Sequence, residues 1–155
     1  MSKEAKPALN EVYSINEGCW RITSACFLPS IGFSDWYQPA ASLGGAVHFV
    51  VYDKDNRSCP LVLSFDFGDV VFRLISLPNG SFSWSNVHTS VIRGSFSLFF
   101  YDDWFVHSNC CAIWVMKEYG VVDSWTKLFT IDLNQVIIRV LCLQKNGNIF
   151  VIPEK

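Results

Sequence analysis

The sequence predicts an all-β fold, in which short antiparallel strands are separated by polar turns. Three observations lead to this prediction. Aromatic residues make up 15% of the chain, and their side chains fit the pleated, half-buried surface of a sheet. Turn residues recur between short apolar runs. No segment sustains the 3.6-residue apolar period that an amphipathic helix requires.

Ten strands are predicted from these patterns. The clearest turn is Asn146-Gly147, which stands between two apolar runs and is a strong hairpin signal. Residues 1–10 carry charges and no apolar run, and are predicted to form a flexible tail. The predicted strands cover residues 11–15, 19–23, 46–52, 61–67, 70–77, 92–101, 112–117, 124–131, 137–143 and 148–152.

Composition excludes several classes of protein. Half of the residues are hydrophobic and 17% are charged, so the chain can bury a core and does not resemble a disordered segment. The net charge of −2 and the lack of Lys/Arg runs give no support to nucleic-acid binding. No signal peptide and no apolar run of ~20 residues is present, so we expect an intracellular protein, cytoplasmic or nuclear, without a membrane partner.

An internal repeat organises the chain. The segment GAVHFVVYD, which begins at Gly45, is similar to GSFSLFFYD, which begins at Gly94 and therefore lies 49 residues later. The last predicted strand of each unit opens with an aromatic residue: Trp20, Phe72 and Trp125 lie 52 and 53 residues apart. Core packing is the default expectation for Trp20, Trp114 and Trp125.

A period near 50 residues is in the kelch-like range, where each unit is a small antiparallel sheet stacked on its neighbours. Two nearly complete units and two partial ones can be counted. Because a closed propeller typically needs four to eight blades, the sequence predicts part of a kelch-like β-propeller. An open stack of this kind exposes strand edges, and we therefore expect self-association of the isolated chain.

The repeated motifs resemble those of plant F-box associated domains. LGGAVHF at 43–49 is similar to the family's Gly-x-x-His-Trp motif, and residues 62–78 are similar to its Phe-Asp … Phe-x-x-Ile-x-x-Pro segment. The run WVMKEYG at 114–120, followed by SWTK at 124–127, is the most specific match. Residues 11–155 are therefore identified as a partial F-box associated domain, although Phe49, Val70 and Asn148 depart from the family's usual Trp, acidic residue and Glu.

The resemblance implies a role in recognising the target protein of an SCF-type ubiquitin ligase. In that family an F-box of helical residues binds the Skp adaptor and, through it, the cullin ligase. No residue of this sequence matches the F-box. The resemblance thus implies a substrate-recognition module that contacts Skp and cullin only through an F-box outside these 155 residues.

Reactive side chains do not form a recognisable catalytic or metal motif. Cys110 and Cys111 have no second spaced pair to complete four zinc ligands, and adjacent strand residues point to opposite faces. In a reducing compartment the six cysteines are expected to be small buried hydrophobes. His48, in the middle of an apolar strand, is expected to be a hydrogen-bonded core or inter-blade residue. We expect no enzymatic activity, no metal and no cofactor.

Loop aromatics are the candidate partner-binding residues. Three segments rich in Ser, Asn, Pro and Gly are predicted to be loops: 28–42, 78–90 and 102–109. Loop aromatics beside His and Asp are common in protein-binding hot spots. The alternative is that these rings only pack against the ends of the sheets. The candidates are Trp36, Tyr37, Trp84, His88, Trp104, Phe105 and His107.

Two further functions stay open at this level. Trp36, Trp84 and Trp104 could instead serve as stacking platforms in a carbohydrate- or small-ligand-binding β domain. Alternatively, a truncated F-box protein fragment could bind the target without recruiting the ligase and act as a decoy. The sequence does not identify the target.

Overall fold

The computed structural model describes residues 10–23, 25–26, 30–33, 40–56, 60–79, 87–101, 110–133, 137–144, 146 and 148–153. Within these residues the chain forms antiparallel strands and one short 3₁₀ turn, Val122–Ser124, which confirms the all-β prediction. The strands are β1 (Asn10–Ser14), β2 (Cys19–Thr23), β3 (Ile31–Phe33), β4 (Ala41–Leu43), β5 (Ala46–Asp53), β6 (Pro60–Asp66), β7 (Val71–Ile75), β8 (Val87–Ile92), β9 (Ser95–Tyr101), β10 (Cys110–Met116), β11 (Trp125–Asp132), β12 (Ile137–Leu143) and β13 (Ile149–Pro153).

Two sheets of similar topology form the centre of the described structure. In sheet 1 the strand order is β3-β5-β6-β7, and β4 pairs with β5 beside β3. In sheet 2 the order is β8-β9-β10-β11. Each sheet is thus an antiparallel meander, in which β4 to β7 correspond to β8 to β11. The similar segments at Gly45 and Gly94 stand at the same place, immediately before or at the start of the second strand of a meander.

Strand alternation divides each sheet into two apolar faces. On β9, Phe96, Leu98 and Phe100 face sheet 1, whereas Phe99 faces the opposite way. The main core lies between the two sheets and joins apolar residues of both. Its buried members are Ala41, Val50, Val62 and Ile75 from sheet 1, with Val87, Phe96, Leu98, Phe100, Met116 and Trp125 from sheet 2. The sheets therefore pack face to face, as expected for stacked blade-like units.

A two-stranded hairpin lies at either end of this stack. The hairpin β1–β2 stands beside the outer face of sheet 1, where Val12 and sheet-1 phenylalanines line a common cavity. The hairpin β12–β13 lies on the outer face of sheet 2, where Leu143 and Ile149 pack against the cluster around Phe99. The described residues form no closed ring. They form two whole units, sheet 1 and sheet 2, and two half units, the hairpins β1–β2 and β12–β13.

Two-residue turns join the first and second strands of both units. Gly44 and Gly45 have φ values of 58° and 81°, and Arg93 and Gly94 have values of 50° and 80°. Positive φ at both central residues is characteristic of the type I′ turn, which matches the twist of the strands it joins. The prediction of one strand over 92–101 was therefore wrong: the chain reverses at Arg93-Gly94, and β8 pairs with β9.

Replacing Gly94 tests this turn. An L side chain in the left-handed region costs about 1–2 kcal/mol, so Gly94→Ala should lower the free energy of unfolding by that amount. A Cβ at Gly94 meets no atom within 4 Å, so the cost would be conformational and not steric. Gly94→Asn should lose less, because Asn tolerates this region better. Urea denaturation of both variants measures the difference, and equal losses would contradict the assignment.

Several sequence predictions require correction. Segments 28–42 and 78–90 are not entirely loops, since they contain β3, β4 and the start of β8. Trp20 is not a core residue among the described residues but is 67% exposed, whereas Trp125 is 8% exposed. Asn10, assigned to the flexible tail, is the first residue of β1, and residues 1–9 lie outside the described residues.

Candidate functional site

Most predicted partner-binding residues lie outside the described part of the chain. Of the seven, only His88 is described; its structure is given below, and its binding role stays a prediction. The others belong to the segments between strands that the structure does not describe. These residues are Trp36, Tyr37, Trp84, Trp104, Phe105 and His107.

The strand ends nevertheless show where two of these segments attach. Val87 begins β8 and pairs with Phe100, while Tyr101 ends β9 and pairs with Cys111 of β10. The chain therefore enters β8, leaves β9 and enters β10 at one end of sheet 2, which we call the loop end. The segment with Trp84 and the segment with Trp104, Phe105 and His107 both attach there. The segment with Trp36 and Tyr37 attaches to β3 and β4, along the edge of sheet 1.

His88 lies in a strand and not in a loop. It is the second residue of β8, pairs with Phe99 and is buried. Its ring meets the ring of Tyr101 edge-on, with 5.2 Å between the centroids. The loop prediction was wrong here because the residues around His88 are mostly polar, as in a loop. They nevertheless form strand β8, whose alternate residues face two packed surfaces.

His48 is the polar centre of the contact between the sheets. It is completely buried on β5 and stacks on Phe96 of sheet 2, with 4.4 Å between the ring centroids. Its Nδ1–H donates to the carbonyl of Ala41 at 2.9 Å, and its Nε2 accepts from the hydroxyl of Tyr119 at 2.7 Å. A carbonyl can only accept, so these partners define the neutral Nδ1–H tautomer. The expectation of an inter-blade histidine is confirmed.

Thr89 extends this polar junction. Its hydroxyl accepts from the backbone N–H of Ala41 at 3.2 Å and donates to the carbonyl of His48 at 3.4 Å. Because Thr89 belongs to sheet 2 and both partners belong to sheet 1, these bonds fix how β4 and β8 sit against each other. The polar groups are satisfied across the contact, so His48 and Thr89 contribute to the packing of the two sheets.

His48 should make stability depend on pH. Burial lowers its pKa below 6.5, and this effect exceeds the opposing effect of the bond to Ala41. The unfolded chain therefore binds a proton more readily than the folded chain does. Stability should be complete above pH ~6.5 and fall as the pH drops below it, by at most about 1.4 kcal/mol per pH unit. Urea denaturation from pH 5 to pH 8 measures this slope.

His48→Gln provides the comparison for that slope. Glutamine keeps a side-chain donor and acceptor but does not titrate in this range. The variant should be less stable at pH 8 and should show a shallower fall between pH 6.5 and pH 5. If the two slopes are equal, the pH dependence does not arise from His48.

A charged turn lies between β6 and β7. Asp66 accepts from the backbone N–H groups of Gly68 and Asp69, at 2.8 and 3.0 Å, and approaches Arg73 at 3.5 Å. The backbone bonds, first from Asp69 and then from Gly68, lower the pKa of Asp66. The side-chain bond to Asp69 raises the pKa of Arg73. All three groups are solvent-accessible, and their hydrogen bonds and ion pairs shape the turn.

The four cysteines within the described ranges differ in burial. Cys111 is fully buried and Cys110 is half-buried, as expected for neighbours on opposite faces of β10. Cys19 and Cys26 are exposed, so the expectation that the cysteines are buried was wrong for these two. No group of three or more potential metal ligands occurs among the described residues. Nor is any helix in that part of the chain long and apolar enough to span a membrane.

Tyr119 is a site residue that sequence reasoning missed. It lies in the turn after β10, is half-exposed, and reaches across to His48. Tyr119-Gly120 was noticed only as part of a motif. The residue pattern could not reveal its partner, because the two residues are 71 positions apart in the sequence.

Comparison with known proteins finds similarity between this chain and F-box proteins of Arabidopsis thaliana. The Arabidopsis thaliana protein At3g23260, provisionally named an F-box protein, is 32% identical over 126 residues, or 79% of this chain and 33% of its own length. The Arabidopsis thaliana F-box protein At3g07870 is 28% identical over 131 residues, or 70% of this chain and 30% of its own length. No family model matches the chain.

The similarities support an F-box protein-related family for this chain. They cover most of its length, and the chain spans about a third of the length of the curated relatives it matches. The relationship agrees with the motif resemblance at the level of F-box proteins. It leaves the assignment to the F-box associated domain as a prediction.

Proposed function

We propose that the chain is a protein-interaction module that binds the target of an F-box-type ubiquitin ligase. The observation that carries this proposal is the similarity to two F-box proteins over most of the chain. Its rigid, stacked sheets support the proposal, because binding segments in proteins are commonly loops held by such scaffolds. The chain would act by binding, without catalysis.

The target would bind at the loop end of sheet 2. Two segments with Trp84, Trp104, Phe105 and His107 attach there, and tryptophan and tyrosine dominate the energetics of many protein interfaces. At the opposite end of sheet 2, the turn at Arg93-Gly94 has two residues, and the connection over 117–124 is occupied by the contact between Tyr119 and His48. The loop end is reached by the connections over 76–86 and 102–109, which carry these candidate residues.

Proximity labelling tests this function in plant cells. The chain would be fused to the F-box of a relative, and proteins that it labels would be compared with those labelled by Trp84→Ala and Trp104→Ala fusions. We expect a set of proteins that accumulates when the proteasome is inhibited and is lost in both variants. The matched control is Val122→Ser. Val122 is exposed at the opposite end of sheet 2, and its replacement should leave the set of labelled proteins unchanged.

Two outcomes would contradict the proposal. If the labelled proteins do not change with the loop-end substitutions, the target does not bind there. If the purified 155-residue chain binds the Skp adaptor directly, its role is recruitment of the ligase. A glycan array distinguishes the alternative of carbohydrate binding, since glycan binding that is lost on Trp84→Ala would replace the protein-target proposal.

A further inference from the structure

Strand β11 is an edge of sheet 2. Its place in the strand order gives it one partner, β10, and no other strand within the described residues pairs with it. An edge strand directs the backbone N–H and C=O groups of alternate residues away from the sheet, where another extended backbone can pair with them. Strand β7 has the same place in sheet 1 and also pairs with one strand, so this edge follows from the strand order within a unit.

Part of β11 lacks the features that usually prevent pairing at an edge. Natural edge strands are commonly short, or carry charged side chains that discourage pairing. The corresponding strand β7 has five residues, and Arg73 at its centre forms an ion pair with Asp69. In contrast, β11 has eight residues, and its Lys127 lies over the ring of Trp114 near the start of the strand. The rest of the strand, Leu128–Asp132, contains no Lys, Arg or Pro, and is therefore the part that is open to pairing.

A β-bulge at Leu128 begins this open part. Lys127 pairs with Trp114 and Phe129 pairs with Ile113, so Leu128 is an extra residue without a partner in β10. A bulge bends its strand and changes the direction of a side chain. Leu128 and Phe129 are neighbours in the sequence, yet they are 40% and 53% exposed and line the same cavity. The bulge thus brings two apolar residues to one place on the edge.

The cavity follows the edge of β11. It measures about 510 Å³ and is lined by five consecutive residues, Leu128–Asp132, and also by Leu143 and Ile149 of the hairpin β12–β13. Successive strand residues point to opposite faces of a sheet. A run of five can therefore line one cavity only where the cavity runs along the backbone of the strand. The unpaired backbone groups and the apolar cavity lie side by side.

Arg93 gives this cavity a positive charge. It lines the cavity from the turn between β8 and β9, and its side chain makes no hydrogen bond or ion pair with another described residue. The one carboxylate residue that lines the cavity, Asp132, pairs with Cys110 at the loop end of sheet 2, whereas the turn with Arg93 lies at the opposite end. A ligand with an acidic group near Arg93 would complement this charge.

We propose that the edge of β11 over residues 128–132 binds an extended segment of a partner protein as an added β-strand. The backbone of the segment pairs with β11, one apolar side chain enters the cavity beside Phe129, and an acidic side chain faces Arg93. Strand addition takes its affinity from backbone hydrogen bonds and its specificity from alternate side chains. The site is separate from the loop end, and it does not depend on the proposed target binding.

A partner segment fits this edge better than the β11 strand of a second copy. A bulge locally disrupts the hydrogen-bond ladder, and a second copy would bring its own bulge at Leu128. Two identical edges would therefore form an interrupted ladder. A segment without a bulge can pair continuously along residues 128–132, and it can carry the acidic side chain that complements Arg93.

Selection from a phage-displayed library of random heptapeptides tests the site on the 155-residue chain. We expect recovered peptides with apolar residues at alternate positions and an acidic residue. Their binding, measured by fluorescence anisotropy, should weaken at least roughly tenfold in Phe129→Ser. Arg93→Asn keeps a residue that tolerates positive φ, and it should weaken the binding of the acidic peptides. Leu74→Ser is the matched control, because Leu74 is 45% exposed on β7, and binding should stay unchanged.

Backbone N-methylation of a recovered peptide tests strand addition with the protein unchanged. In an added strand, alternate N–H groups of the peptide point to β11 and the others point away. Methylation of the first set removes the donors that pair with β11 and should weaken binding at least roughly tenfold. Methylation of the second set keeps those donors and should leave the affinity unchanged.

Three results would overturn the proposal. Equal effects of the two methylation patterns would show that the peptide does not pair with an edge. Recovery of no binding peptide, or of peptides that bind Phe129→Ser as well as the wild type, would show that no partner segment enters this cavity. Self-association that is lost in Phe129→Ser, measured by sedimentation velocity, would make a second copy the occupant.

Discussion

Trp125→Ala should lower the free energy of unfolding by about 3–5 kcal/mol, which is the usual cost of removing a large buried aromatic side chain. The indole fills the space between the sheets beside Phe96, and its N–H satisfies the carbonyl of Ser76. Both the apolar contact and the hydrogen bond are lost in the variant. Because single domains are typically stable by only 5–15 kcal/mol, the effect should be large in urea denaturation.

Trp20→Ala is the matched control for this measurement. It removes the same side chain at the equivalent position of another unit, where the ring is 67% exposed. At protein concentrations low enough to keep the chain monomeric, the loss should be within about 0.5 kcal/mol, as for other surface substitutions. Equal losses for the two variants would contradict the difference in packing between the two units.

Phe99→Ala should have a similar effect on the opposite face of sheet 2. Phe99 is 1% exposed and packs in the cluster that joins β9 and β10 to the hairpin β12–β13. Truncation would leave a cavity where Ile113 and Leu133 now contact the ring, and we expect a loss of about 3–5 kcal/mol. Thermal or urea unfolding measures the change.

Two variants show whether that loss arises from burial. Phe99→Leu retains most of the buried apolar volume and should cost less than about 1.5 kcal/mol. Phe67→Ala removes a ring that is 53% exposed in the turn after β6 and should cost less than Phe99→Ala. If Phe67→Ala destabilised the protein as much as Phe99→Ala, the cluster on the outer face of sheet 2 would not be a core.

The internal sequence repeat predicted the stacked-sheet architecture because equivalent residues in each repeat occupy equivalent strands and pack in equivalent places. The similarity of the segments at Gly45 and Gly94 requires two equivalent second strands, and the spacing of Trp20, Phe72 and Trp125 requires equivalent fourth strands. These requirements are met by β5 and β9, and by β2, β7 and β11. Alternation on β9 then explains why the same strand contributes to two cores.

The failures have local physical causes. The turn at Arg93-Gly94 was missed because Arg, unlike Gly or Asn, rarely adopts positive φ, and its side chain does not indicate a type I′ turn. Strands β3 and β4 contain three residues each and depend on pairing with β5, so their own sequences carry little signal. Trp20 was misjudged because its burial depends on a neighbouring sheet, which a residue pattern cannot supply.

The candidate site was predictable in part. Strand order shows that the segments with Trp84 and Trp104 attach to one end of sheet 2, a result that the sequence reading had not reached. Conversely, His88 was grouped with loop residues although it lies buried in β8. The contact between His48 and Tyr119 joins residues far apart in the chain and required the packing of the two sheets.

The binding affinity of the purified chain for a target protein identified by proximity labelling tests the proposed function most directly. Isothermal titration should show direct binding, and Trp84→Ala and Trp104→Ala should each weaken it at least roughly thirtyfold, the effect of losing an interface hot spot. Val122→Ser, at the opposite end of sheet 2, should bind as the wild type does. Unchanged affinity in both tryptophan variants, or loss of binding in Val122→Ser alone, would contradict the assignment of target binding to the loop end.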